Sequence, residues 1–312
     1  MRLLPSKRAH LYVLERARIV VRDGRVESID AADQLTRGFN IPIANTSFLL
    51  LGPGSSITQE AVRLLRGEGV CIGFCGAGGT PLLAAQDPYP DLLTPFDAYR
   101  EPRFLQQWIE IWRDEAKRLA VAKHLFLARL ERIEHGWTNL DFGVQIPEPP
   151  SGQELKALIR SIETANSVSE LLGHEGSTTK KLYKRMSEQF RLGDFTRQTR
   201  AGLPLTDPNT LLDQGNYLAY GLASVVLWCL GIPPALAVFH GKTRRGALVF
   251  DLADVIKDGV ILPMAFASAH RAIKGEELSK KIFRDRCVQA FDDAKALDTL
   301  FATLIEAIDA CS

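Results

Sequence analysis

Residues 239–254 bring an imidazole, two carboxylates and three cations into sixteen consecutive positions. His240 lies in a segment rich in glycine and basic residues, and apolar residues recur at helical spacing from Asp251 onward. Asp251 and Asp254 are three residues apart, so on a helix they share one face, and we expect both in its first turn. The helix dipole favours negative charge there. Two interpretations stay open: acids that serve only the helix start, or part of an ion-binding site.

A further acid, Glu175, stands between an apolar segment and a run of basic residues. A carboxylate at such a position suits a cation ligand better than a protein core. Glu, His and Asp together can hold a divalent ion and leave positions open for water and phosphate oxygens. The imidazole favours Mn²⁺ over Mg²⁺, although either ion suits this ligand set. An ion beside basic residues is what phosphodiester chemistry needs, because charge builds on the phosphate oxygens during the reaction.

The segment from Ser177 to Arg200 contains seven basic residues against two acidic ones. Such a run is either a solvated helix face or a groove for a phosphate backbone. Because the net charge of the chain is only +1, the molecule as a whole is not a basic coat for nucleic acid. The local excess predicts DNA binding by four residues at its start: Lys180, Lys181, Lys184 and Arg185.

Composition and motifs exclude several other classes of protein. No apolar run reaches the roughly 18 residues of a membrane span, and no apolar segment follows the first basic residues as in a secretory signal. The five cysteines include no Cys-x-x-Cys pair, which argues against a disulfide framework or a zinc knuckle. We therefore expect a cytoplasmic protein without membrane contact. Gly241-Lys242-Thr243 resembles the end of a P-loop, but Leu236 stands where that motif needs glycine.

The order of elements predicts an α+β chain of two domains. Short β-rich segments and one helix, at 57–65, fill residues 1–85, and four prolines mark residues 86–101 as a connector. From Pro102 to the end the pattern is helical. We expect one long helix over 104–133 and others over 152–172 and 211–230.

Several motifs in this order resemble the CRISPR-associated endonuclease/integrase family, the catalytic subunit of spacer acquisition, and most closely its subtype I-F branch. The resemblance covers nearly the whole chain. The family fold is an N-terminal β-sandwich-like domain followed by a larger all-helical catalytic domain, which agrees with the order of elements above. The motifs are Leu49-Leu50-Leu51-Gly52-Pro53-Gly54-Ser55-Ser56-Ile57-Thr58, Glu175-Gly176-Ser177, Asp207-Pro208-Asn209, Phe239-His240-Gly241-Lys242 and Phe250-Asp251-Leu252-Ala253-Asp254.

The resemblance assigns roles to particular residues. It implies that Glu175, His240 and Asp254 are the metal ligands, for Mn²⁺ or Mg²⁺, and that Asp251 is an auxiliary catalytic acid. Four further cations are implied to hold DNA phosphates beside the metal: Lys242, Arg244, Arg245 and Lys257.

The resemblance also implies an activity and partners. The 3′-hydroxyl of a captured double-stranded DNA fragment attacks a phosphodiester at the CRISPR repeat, and with water as nucleophile the same site is a nuclease. The implied assembly is a homodimer joined through residues 1–85, with a second adaptation subunit fused to the helicase-nuclease of the interference machinery. The implied location is the prokaryotic cytoplasm.

Two other functions stay open at this point. The chain is a catalytically silent DNA-binding scaffold if its metal site does not work, although the presence of all four site residues counts against this. Alternatively, it is a transposon integrase that shares the same core.

Overall fold

The structure is a computed structural model that describes residues 10–30, 38–76, 102–193, 195–198, 203–240 and 246–311. The chain forms two compact units, Met1–Arg100 and Glu101–Ser312. The proposed connector, residues 86–101, lies outside the described residues.

Two small sheets form the first unit. Their strands are β1 (His10–Leu14), β2 (Ala17–Arg22), β3 (Arg25–Asp30), β4 (Phe39–Asn40), β5 (Thr46–Leu51), β6 (Ser56–Ile57) and β7 (Cys71–Phe74). Strands β1, β5 and β7 pair in parallel in that order, and the second sheet has the order β4-β3-β2-β6. β2 and β3 form an antiparallel hairpin whose turn, Asp23-Gly24, has positive φ at both residues, as the sequence signal Asp-Gly predicts.

One hydrophobic core joins both sheets of this unit to a helix, α1 (Gln59–Gly67). Ile19 comes from one sheet, Leu49 from the other and Leu65 from the helix, and all three are fully buried. Thr58 starts α1 by accepting a hydrogen bond from the backbone N–H of Ala61. The helix predicted at 57–65 is therefore present, shifted by two residues.

Helices are the regular secondary structure of the second unit within its described residues. They are α2 (Arg103–Arg113), α3 (Glu115–Asn139), α4 (Gly152–Thr164), α5 (Val168–Phe190), α6 (Pro208–Leu230), α7 (Ala247–Ile256), α8 (Leu262–Ile273), α9 (Lys280–Asp293) and α10 (Ala296–Asp309), with a π segment at Lys257–Ile261. In the centre of this unit, α3 packs against α7 and the π segment, and α6 packs against α7 and α8. The predicted fold class, a β-rich domain before a larger helical one, is confirmed.

Two of the predicted helices are each divided in two. Asp114 is extended (φ −95°, ψ 124°), and its carboxylate accepts hydrogen bonds from the first backbone N–H groups of α3, so the expected helix 104–133 is α2 plus α3. Ser167 divides the expected helix 152–172 in the same way, as the N-cap of α5. Apolar periodicity continues on both sides of each cap, which is why it did not reveal the breaks.

Helix α7 begins earlier than the sequence predicts. Gly246, in a left-handed conformation (φ +67°), precedes it, and residues 248–250 form its first apolar turn. The expectation that Asp251 and Asp254 occupy the first turn is therefore wrong. Leu248 and Val249 are buried. Their tertiary packing favours a helix over the extended conformation that the partly β-branched composition also allowed.

Two glycines bring α3 into backbone contact with the π segment. A Cβ at Gly136 would lie 2.3 Å from the carbonyl oxygen of Gly259, and a Cβ at Gly259 would lie 2.3 Å from the carbonyl oxygen of Arg132. Trp137 Nε1 fixes the crossing by donating to the backbone oxygen of Asp258 at 2.7 Å. π turns inside helices often occur at functional sites. This one places Lys257 and Asp258 directly after the two acids of α7.

Across the described residues, no helix combines the length and the apolar character needed to cross a bilayer.

Candidate metal centre

Asp251 fixes the segment that carries His240. Its Oδ2 accepts hydrogen bonds from the backbone N–H groups of Val238 and Phe239 at 2.8 and 2.9 Å. Its Oδ1 accepts from the backbone N–H of His240 at 2.8 Å and lies 2.8 Å from His240 Nδ1. Because a carboxylate only accepts, Nδ1 is the protonated nitrogen, and the Nε2 lone pair of the neutral ring is left available. This is how a second residue usually orients a metal-binding histidine.

His240 Nε2 is directed toward Asp254, with 3.7 Å between Nε2 and Asp254 Oδ2. Asp254 Oδ1 is buried and in ion-pair contact with Lys257 Nζ. Both acids of α7 therefore face the same small space as the imidazole. The sequence prediction that spacing puts them on one helix face agrees with this geometry.

Glu175 reaches the same space from α5, where it occupies the buried stripe of the helix. Its Oε1 accepts a hydrogen bond from Arg129 Nη1 at 2.8 Å and another from Thr179 Oγ1 at 3.0 Å. No described residue donates to Oε2. Arg129 Nη1 also lies 3.9 Å from Asp254 Oδ2. One arginine thus stands between the glutamate of α5 and the aspartate of α7.

The structure adds two residues that the sequence interpretation missed. Arg129 is 3% exposed on α3, and Asp258 is 6% exposed in the π segment. Arg129 Nε donates to Asp258 Oδ2 at 2.8 Å, and Nη2 contacts the same oxygen. A signal existed for each. Asp258 follows Asp254 by four positions and continues its helix face, and Arg129 interrupts the apolar stripe of α3 formed with Phe126 and Ile133.

Opposing charges determine the protonation of the site. Burial acts to raise the pKa of Asp254, but Lys257, Arg129 and His240 outweigh it and hold that pKa below its ordinary value. Burial acts to lower the pKa of His240, but its hydrogen bond to Asp251 and the negative charge of Asp254 outweigh it and raise that pKa. Burial raises the pKa of Asp258 despite the nearby cation of Arg129.

The cluster is negative when its carboxylates are ionised. With the histidine neutral, two negative charges remain in excess, which is the charge that one divalent ion neutralises. The carboxylates are Glu175, Asp251, Asp254 and Asp258, and the permanent cations are Arg129 and Lys257.

The donor set suits a divalent ion, although the side chains do not enclose one as they stand. Two of the expected ligands have a donor atom outside the hydrogen bonds of the described residues, Glu175 Oε2 and His240 Nε2, whereas Asp254 Oδ1 is in contact with Lys257. Oxygen and imidazole ligands match Mn²⁺ and Mg²⁺. In the part of the chain that the structure describes, no three His, Cys, Asp or Glu side chains converge closely enough to hold an ion. The guanidinium of Arg129 lies between two of them.

The predicted DNA-binding residues fall into four groups. Lys180, Lys181 and Lys184 are exposed on α5, on the side away from Glu175. Arg185, in contrast, is half-buried and paired with Glu154. Lys257 is turned into the site, where it pairs with Asp254 and lies 5.3 Å from the centre of the Tyr220 ring. The remaining three lie outside the described residues: Lys242, Arg244 and Arg245.

Tyr183, on α5 beside this cluster, provides a test of the local electrostatics. Burial, with a smaller contribution from the charge of Asp258, raises the pKa of its phenol to about 12, against 10.0 for an ordinary tyrosine. The buried neutral phenol therefore makes its full contribution to the free energy of unfolding below pH 10. That contribution is lost as the pH rises toward 12. We expect wild-type protein to lose more unfolding free energy over that interval than Tyr183→Phe, measured by urea denaturation. Parallel losses in the two proteins would contradict this assignment.

The protein consists of a β-rich unit followed by a helical unit. The helical unit carries a cluster of acids, a histidine and an arginine, which is a candidate divalent-metal centre. The chain belongs to the CRISPR associated protein Cas1 family, whose sequence profile matches residues 11–288. The resemblance inferred from the motifs is thereby confirmed.

Individual relatives agree with this membership. The chain is 46% identical over 308 residues to the CRISPR-associated endonuclease Cas1 of Pseudomonas aeruginosa (strain UCBPP-PA14), covering 97% of this chain and 93% of that protein. It is 43% identical over 309 residues to the protein of the same name from Pectobacterium atrosepticum, with the same coverage. Both are consistent with the subtype I-F branch. A solved TtCas1–DNA complex has the same fold, with a TM-score of 0.60, 23% identity and 97% of both chains covered.

Proposed function

We propose that this chain is a metal-dependent DNA endonuclease and integrase that inserts captured DNA fragments into a CRISPR array. The observation that carries the proposal is that Glu175, His240 and Asp254, from three separate segments, border one space, where Glu175 Oε2 and His240 Nε2 take no hydrogen bond from a described residue. Family membership and relatives named endonucleases support the same activity.

The side chains of the proposed site have different roles. Glu175, His240 and Asp254 would hold a divalent ion, Mn²⁺ or Mg²⁺. When bound, that ion supplies Lewis-acid stabilisation of the charge that develops on the phosphate oxygens. Asp251 acts as a positioning residue, because both its oxygens are engaged by the 238–240 segment. Lys257 adds positive charge beside Asp254.

The reaction we assign is an in-line displacement at phosphorus. The 3′-oxygen of the captured fragment forms a bond to a phosphorus of the repeat, and the bond from that phosphorus to the 3′-oxygen of the adjoining nucleotide breaks. The proton of the attacking hydroxyl is lost, and the departing oxygen gains one. With water in place of the hydroxyl, the same displacement cuts DNA.

Double-stranded DNA is the substrate that we propose, in the form of a captured fragment and a repeat. The TtCas1 protein of the same fold is known in a complex with DNA. We further propose a homodimer through residues 1–85 and a second adaptation subunit, fused to the helicase-nuclease of interference, as partner. The setting is the prokaryotic cytoplasm.

The exposed lysines of α5 predict a salt-dependent contact with the DNA backbone. Reversing two charges, in Lys180→Glu/Lys181→Glu, is expected to weaken duplex binding and to lower the slope of log K against log salt by about 2, since each lost phosphate contact contributes about 0.9. Fluorescence anisotropy over a salt series measures both quantities. The matched control is Lys280→Glu/Lys281→Glu, an equal charge change on the exposed face of α9. Equal slopes in the two double variants would remove α5 from the DNA contact.

Integration of a labelled duplex into a supercoiled plasmid that carries a repeat tests the function. Wild type and Asp254→Ala are compared with Mn²⁺, Mg²⁺ or a chelator, with and without the partner subunit, and with 3′-hydroxyl or dideoxy ends. We expect products only from wild type with metal and a 3′-hydroxyl. Products from Asp254→Ala would show that the metal site is wrong. No products from wild type with its partner would favour a silent DNA-binding scaffold.

A further inference from the structure

Arg129 is a buried cation among the carboxylates of the candidate metal centre. Its side chain is 4% exposed, and its guanidinium is placed among the carboxylates of Glu175, Asp254 and Asp258. A guanidinium stays protonated at any pH at which the protein is folded, and the surrounding acids raise the pKa of Arg129 further, against the effect of burial. A permanent positive charge therefore occupies the space between two expected metal ligands.

Asp258 anchors one side of the guanidinium and leaves the other side for the ligands. Nε and Nη2 are both directed to Asp258 Oδ2, while Nη1 donates to Glu175 Oε1 at 2.8 Å and lies 3.9 Å from Asp254 Oδ2. The planar fork of arginine makes both sets of contacts at once. A lysine ammonium keeps the charge but concentrates its donors on one nitrogen, so it cannot span both sides in the same way.

Thr179 completes the arrangement around Glu175. Its hydroxyl accepts from Arg129 Nη2 at 2.8 Å and donates to Glu175 Oε1 at 3.0 Å. Both bonds to the glutamate thus go to Oε1, and Oε2 keeps its lone pairs. The carboxylate is held in place while one oxygen stays available.

We propose that Arg129 is a resident counter-cation of this site, which pairs with Glu175, lies beside the Asp254–Lys257 pair and keeps the acidic cluster assembled until a divalent ion binds. This inference rests on the proposed metal site. It assigns Arg129 as a positioning residue, anchored by Asp258, that touches neither the DNA nor the reacting atoms. Arg129 Nη1 lies 2.8 Å from Glu175 Oε1 and 3.9 Å from Asp254 Oδ2, in the space between these two expected ligands.

The proposal has a direct consequence for metal affinity. An incoming divalent ion meets a positive charge a few ångströms from two of its ligands, and in a buried site this repulsion is strong. Removal of the charge therefore strengthens metal binding, because the repulsion exceeds what Arg129 contributes by orienting Glu175. An ordinary orienting residue behaves in the opposite way, since its loss weakens metal binding about 10–100-fold. The sign of the change separates the two roles.

Isothermal titration of the full chain with Mn²⁺ alone, at one fixed pH, tests this. We expect Arg129→Gln to lower Kd for Mn²⁺ by about tenfold or more. Arg129→Lys, which keeps the charge, stays within about threefold of wild type. The matched control is Arg118→Gln, a buried arginine of the same helix that contacts Trp112 and Glu115 outside the site, and it binds as wild type does.

Each outcome bears on the role of Arg129 or on the site itself. Unchanged or weaker Mn²⁺ binding by Arg129→Gln overturns the counter-cation role. The role is also overturned if Arg129→Lys binds Mn²⁺ as tightly as Arg129→Gln does. Should Arg129→Gln fail to fold, Arg129→Gln/Asp258→Asn removes the anchoring carboxylate as well and is expected to tighten Mn²⁺ binding by less, because a negative charge is lost with the positive one. Absence of Mn²⁺ binding to wild type overturns the proposed metal site, and this is seen without any variant.

Discussion

Asp251→Asn is expected to lower the unfolding free energy by about 3–5 kcal/mol and to weaken Mn²⁺ binding about 10–100-fold. Asp251 is 2% exposed, and its carboxylate accepts from three backbone N–H groups and from the ring of His240. An amide offers one acceptor oxygen and brings two N–H donors of its own. Buried donors of the 238–240 segment are then left unpaired, and His240 Nδ1 loses the charge that orients the ring.

Urea denaturation and Mn²⁺ titration measure the two effects of Asp251→Asn. The control is Asp213→Asn, which breaks the partly exposed ion pair with Arg197 and is expected to cost about 1 kcal/mol or less, with unchanged Mn²⁺ binding. If Asp251→Asn kept wild-type stability and affinity, the segment that carries His240 would be held by something other than this carboxylate.

Gly136→Ala and Gly259→Ala are each expected to destabilise the protein by about 3 kcal/mol, near the upper end of the range for overpacking. Either methyl group would lie 2.3 Å from a backbone oxygen of the opposing element, so a rotamer change cannot relieve the contact. The helices must separate, and Asp258, which is bonded through its backbone oxygen to Trp137, must move with them. Mn²⁺ binding at the proposed metal site should therefore weaken together with the stability of the fold.

The control for Gly136→Ala and Gly259→Ala is Gly173→Ala on α5, where an added Cβ meets no atom within 4 Å. Alanine has the higher helix propensity, so this variant should be more stable by about 0.5–1 kcal/mol. Thermal and urea unfolding compare the three proteins. Wild-type stability in Gly136→Ala would mean that α3 and the π segment are farther apart than the structure places them.

The sequence was sufficient to propose candidate ligands, which stay a prediction, but not to identify the residues that contact them. His240, Asp251 and Asp254 lie within one short segment, where residue type and helical spacing show a shared face directly. Arg129 lies 46 positions from Glu175 and 129 from Asp258, and no local pattern specifies which distant carboxylates a buried arginine meets. Its position in an apolar stripe indicated a buried partner without identifying one.

The fold class was likewise predictable from local sequence patterns, whereas some helix boundaries were not. Turn signals such as Asp23-Gly24 and the change from β-rich to helical periodicity near Pro102 predicted the class of fold. The helix boundaries at Asp114 and Gly246 depend on a cap and on tertiary burial, neither of which changes the apolar period. The first turn of α7 was therefore misplaced, while its acid-bearing face was predicted.

Pulsed electron paramagnetic resonance of Mn²⁺ bound to the full chain tests most directly whether Glu175, His240 and Asp254 form one metal site. Wild type should show the nitrogen hyperfine coupling of a coordinated imidazole. His240→Ala should lose that coupling while some Mn²⁺ still binds, and Asp254→Ala should lose tight Mn²⁺ binding altogether. A nitrogen coupling that persists in His240→Ala, or full Mn²⁺ binding by Asp254→Ala, would place the metal elsewhere and contradict the account.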